Sequence, residues 1–137
     1  MRTLTVLFAS ALLAACATVS DRPASVAAPT IVIDAPRTIF FGGGTTAPVT
    51  LDVSITNHAT TPIRLRRIEI STPSMTTYRL ETVRQTFDET ILTGETKKFP
   101  VFTNAVTRVD SPSEPLSIRS VVTLEASGVE FREISLN

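Results

Sequence analysis

The most regular pattern in the chain lies at 48–57, where Val49, Leu51, Val53 and Ile55 alternate with Thr50, Asp52, Ser54 and Thr56. A period of two puts one set on a buried face and the other in water, the signature of a β-strand packed on one side. Asn57-His58-Ala59-Thr60-Thr61-Pro62 follows, with turn chemistry in its Asn and Pro. Apolar residues resume at 63–71, but Ile63 and Leu65 are out of phase with Ile68 and Ile70. One extra residue at Arg66-Arg67, a β-bulge, returns all four to a single face. The two runs are expected to pair as antiparallel neighbours at the centre of the fold.

Other segments continue the β pattern more weakly. Residues 30–34 and 37–41 suggest a first strand broken at Pro36, since proline suits an edge or a kink. Tyr78 and Leu80 share a face within 77–83, and 87–92 has no clear period. Leu92-Thr93-Gly94-Glu95-Thr96 reads as a turn into a strand at 97–102, and 103–115 reads as loop. At 116–126, Leu116, Ile118, Val122 and Leu124 face one way. Ser127-Gly128 then marks a hairpin turn into 129–136, where the phase is expected to shift between Phe131 and Ile134. No helical period appears after residue 30.

The beginning of the chain differs. Arg2 precedes an apolar run at 4–13, too short for a permanent membrane span of about 20 residues. Leu13-Ala14-Ala15-Cys16 closes it and holds the only cysteine. This resembles the lipobox of bacterial lipoproteins: an aliphatic residue, two small residues and a cysteine. The resemblance implies cleavage before Cys16 by signal peptidase II, with a diacylglyceryl group on its thiol. The alternative is an ordinary signal peptide cleaved at an Ala-x-Ala site. Ala17 stands where such lipoproteins carry Asp when they stay at the inner membrane, which implies the periplasmic side of the outer membrane. On this basis 1–15 is a signal peptide, 16–29 a lipidated Cys and flexible tether, and 30–137 the domain. The tether is small and polar with Pro23 and Pro29, and could reach roughly 40 Å if extended.

The phrases LDVSITNHATTPIRLRRIEI and LTGETKKF resemble bacterial immunoglobulin-like domains. An Asn-containing turn ends one strand there, and a Gly-Glu turn opens a later one. With the turn spacing, this predicts an all-β, immunoglobulin-like antiparallel β-sandwich of about seven strands, with a small barrel as the alternative. The antibody hallmarks are missing, since the chain has no Trp and a lone cysteine cannot form an internal disulfide.

Charge narrows the function. The chain has 13 basic and 13 acidic residues, and losing Arg2 with the leader leaves 12 against 13. Nucleic-acid binding needs a basic excess that is absent. His58 is the only histidine, so neither a histidine pair nor a free thiol is there to build a transition-metal site. No cofactor is implied. Gly42-Gly43-Gly44-Thr45-Thr46 lacks the lysine and following helix of a phosphate loop and reads as a flexible connection. Arg64, Arg66 and Arg67 form the densest basic group. They are candidates to dock an envelope protein or glycan, or to pair with Asp52 or Glu69 within the domain. These features favour a non-enzymatic, membrane-anchored interaction or structural module. The alternative is a small periplasmic hydrolase or ligand carrier using His58 with Asp88 and Glu89, which requires those side chains to converge.

Overall fold

A computed structural model describes residues 19–73, 78–107 and 116–136. The described residues are all-β. They form β1 (Val19–Ser20), β2 (Thr30–Asp34), β3 (Thr46–Thr56), β4 (Ile63–Ser71), β5 (Tyr78–Leu80), β6 (Val83–Ile91), β7 (Thr96–Thr107), β8 (Arg119–Ala126) and β9 (Val129–Leu136). Two antiparallel sheets result, ordered β1-β9-β8-β4-β6 and β2-β3-β7-β5. Their inner faces share one apolar core in a sandwich-like arrangement. Leu51, Val53, Ile55 and Val101 come from one sheet, and Leu65, Ile68, Ile70, Leu124 and Phe131 from the other. Phe87 of β6 meets Phe99 of β7 edge to face across the layers, with ring centroids 5.4 Å apart.

The alternation in β3 puts Val49, Leu51, Val53 and Ile55 in the core, as their spacing predicts. In β4 the register shifts between Leu65 and Arg67 against both neighbours, so the bulge exists and Ile63, Leu65, Ile68 and Ile70 are all buried. The expected pairing of these two strands is wrong. β3 pairs with β2 and β7, whereas β4 pairs with β6 and β8. The cause is Asn57, only 1% exposed. Its Nδ2 donates to the carbonyls of Thr61 and Ile91, both at 3.0 Å, and its Oδ1 accepts from the Ala59 amide at 2.8 Å. The Asn57 main chain bonds to Glu95 and Gly94. These bonds carry 57–62 from one sheet to the other instead of folding it back as a hairpin.

Other boundaries move for related reasons. Residues 87–91 complete β6, and 103–107 extend β7 because β3 and β5 offer it partners on both sides. The strand expected at 116–126 begins at Arg119. The β8–β9 hairpin is present, with Ser127 and Gly128 both at positive φ, as a tight primed turn requires. No phase shift interrupts β9. Its register against β8 is continuous, and Glu133 takes the same inward phase as Phe131.

The largest departure concerns the tether expected at 16–29. Cys16 lies outside the described residues, but Val19–Arg22 are docked on β9 and Val26 packs against the core. Val19 and Ser20 pair with Ile134 and Glu133 at the edge of β9. Polar side chains, invisible to a hydrophobic pattern, hold it there.

Candidate interaction surface and N-terminal clasp

The β4 bulge sets the positions of the three arginines. Arg64 and Arg66 both reach Asp88 of β6, at 3.4 and 3.2 Å, and Arg66 lies 4.0 Å from Glu125 of β8. Arg67 is exposed, with no ion pair among the described residues. Neither internal partner expected from the sequence is used. Asp52 sits on the other sheet and pairs with Lys98 at 3.7 Å, and Glu69 pairs with Arg84, its cross-strand neighbour, at 2.7 Å. The surface is a mixed-charge cluster beside β6, the edge strand of its sheet among the described residues. Such exposed pairs contribute about 0–1 kcal/mol each, so two guanidinium groups can exchange Asp88 for an incoming carboxylate at little cost.

His58, Asp88 and Glu89 are not brought together by hydrogen bonds. His58 Nε2 bonds to Thr30 Oγ1 at 2.8 Å, at the start of β2. Asp88 is held by arginines, and Glu89 lies 3.8 Å from Lys97. Among the described residues, no three His, Cys, Asp or Glu side chains gather to hold a metal ion. A depression of about 250 Å³ lies over Pro48, Val49, Thr50, Phe102, Thr103 and Asn104. That is smaller than the roughly 300–1,000 Å³ of common ligand pockets.

A partly buried ion pair of the domain was not legible in the sequence pattern. Glu133, 5% exposed, accepts from Ser20 Oγ at 2.7 Å and from Arg22 at 2.5 Å, while Arg22 Nε donates to the Val26 carbonyl at 2.8 Å. Beside it, Asp21 accepts the Arg132 amide and lies 3.1 Å from the Arg132 guanidinium. The Arg132 amide bond, followed by the Arg132 side chain, holds the Asp21 carboxyl below its ordinary pKa of 3.8. This clasp fastens the first described residues to β9. Its sequence signal was a glutamate in the inward phase of a strand, which requires a cation nearby.

No family model matches the chain, and no curated protein does. Among solved structures, the chain is similar to Northeast Structural Genomics Consortium target SoR45, with a TM-score of 0.56 and 12% identity. The match covers 78% of this chain and 81% of that one. At this identity the likeness concerns the fold alone.

Proposed function

We propose that the chain is a lipid-anchored, non-enzymatic interaction module of the bacterial cell envelope, with a two-sheet domain of immunoglobulin-like type. Its anchor is a diacylglyceryl group on Cys16, its place the periplasmic side of the outer membrane, and its partner an envelope protein or glycan. The observation that carries this is the Leu13-Ala14-Ala15-Cys16 motif, with the sole cysteine of the chain at its end. A thiol is the one strong nucleophile available for such a modification.

The partner surface is the Arg64, Arg66 and Arg67 face beside β6, the edge strand among the described residues. Its support is Arg67, which is exposed and unpaired among the described residues, and Asp88, a carboxylate that a partner's acid can replace. An exposed edge strand also offers backbone groups to an added strand. Mass spectrometry of the mature N-terminus tests the anchor, with a diacylglyceryl-modified Cys16 expected. Crosslinking in the envelope tests the surface. A specific partner should be recovered and then lost when Arg64, Arg66 and Arg67 become Glu. An unmodified N-terminus beginning elsewhere would falsify the topology. Equal recovery by the charge-reversed protein would dismiss the surface.

A further inference from the structure

The clasp shortens the link between anchor and domain. Only Ala17 and Thr18 separate Cys16 from Val19, which is already paired to β9. Three residue steps span at most about 11 Å, against roughly 40 Å for a free tether through residue 29. A chain held at Cys16 therefore keeps the nearest end of the domain within about 11 Å of the lipid attachment, close enough to touch a headgroup zone about 5–8 Å deep per leaflet.

Register identifies that end. Val19 lies opposite Ile134, two residues before Leu136, and Leu136 is opposite Arg119. Ser71, at the end of β4, is also opposite Arg119. On the second sheet the same end holds Thr46 and Arg79, both opposite Val106. The connection 35–45, with Arg37 and Phe40, runs into Thr46 there. The other end carries the 92–95 and 127–128 turns.

The ends differ in charge. Cations without an ion pair among the described residues are Arg37, Arg67, Arg79 and Arg119; anions without one are Asp34, Glu81, Glu95 and Glu130. Arg79 and Arg119 lie at the anchor end and Arg37 in the connection that leads to it; among the described residues Glu81, bonded to Asn104, is the one acid without an ion pair there. Glu95 and Glu130 lie at the far end. Among the described residues the unpaired charge is thus polarised along the strands, with its positive part at the end nearest the anchor. Phe40, 87% exposed and the most exposed large apolar side chain among the described residues, lies in the connection that leads to this end. Aromatic side chains and arginines together suit a lipid–water interface.

We infer that this end is a second, non-covalent membrane contact. Arg37, Arg79 and Arg119 face anionic phospholipid headgroups, Phe40 enters the interface, and the domain is held against the bilayer with the 92–95 and 127–128 turns pointing away. The inference rests on the reading of Cys16 as the anchor.

The chain has no Trp, so single-Trp reporters are available. Mature, lipidated Phe40→Trp and Leu92→Trp proteins would be placed in phosphatidylethanolamine–phosphatidylglycerol vesicles with brominated acyl chains. Both sites are exposed, so folding should tolerate both changes. Phe40→Trp emission should shift blue and be strongly quenched, and Leu92→Trp emission should match that in unbrominated vesicles. Converting Arg37, Arg79 and Arg119 to Glu should abolish the quenching, each arginine being worth about fivefold in partition. Unquenched Phe40→Trp in protein whose mass shows lipid on Cys16 overturns the inference alone, as does equal quenching at both positions. Absence of lipid on Cys16, read from the mass beforehand, overturns the anchor reading and this one with it.

Discussion

Asn57 and Thr123 are both buried polar residues with opposite consequences. All three polar bonds of Asn57 serve backbone groups of the crossing between sheets. Asn57→Ala leaves the Ala59 amide and the Ile91 carbonyl without partners, each costing about 1–3 kcal/mol, so chemical denaturation should show a loss of roughly 3 kcal/mol. Thr123 Oγ1 is buried with no hydrogen-bond partner among the described residues, so Thr123→Val, nearly the same shape, should raise stability by about 1 kcal/mol in the same assay. Asp21 is a third case. Its carboxyl pKa is lowered in the folded state, so its contribution is present above the unfolded value and lost as pH falls through the folded one. The Arg132 amide resonance should therefore titrate with a midpoint below 3.8, and Asp21→Asn should remove that titration. A midpoint at or above 3.8 would contradict the clasp.

Among elements, β4 was legible to the residue, because two apolar pairs out of phase admit few explanations besides a bulge. Arg66 sits at the irregularity. Arg66→Ser removes only exposed ion pairs and should cost less than about 1 kcal/mol. Deleting Arg66 removes the extra residue and turns Ile68 and Ile70 outward, or else Ile63 and Leu65. At about 1.5–3 kcal/mol for each buried side chain lost from the core, the deletion should unfold the domain at room temperature, as circular dichroism would show. A folded deletion variant would mean that the bulge does not set the phase. β1 shows the opposite legibility. Its two residues carry no period, and its hold on β9 comes from Ser20, Asp21 and Arg22, more than 100 positions from their partners. Nothing local in 16–29 separates a docked segment from a free one.

At the scale of the molecule, strand existence could be read from the pattern and strand partnership could not. The period of β3 states that one face is buried, but not against which sheet. Thr56 and Thr96 are paired across a span that includes all of β4, β5 and β6. The Arg64–Asp88 contact follows from this topology, so the partner of the candidate surface was hidden along with it. The two sheets bury a single cluster, which makes a claim about cooperativity. Leu51 in β3 and Leu65 in β4 are both fully buried, one on each sheet. If the layers stand or fall together, Leu51→Ala and Leu65→Ala should each cost about 2–5 kcal/mol and move the urea midpoint without changing the slope. Tyr78 fluorescence, from the sheet containing β3, should follow the same single transition as circular dichroism in both variants. Because nearly every pairing joins distant segments, refolding should take milliseconds to seconds. Two separate transitions in either variant would mean that the sheets are separate units and that the shared core does not govern stability.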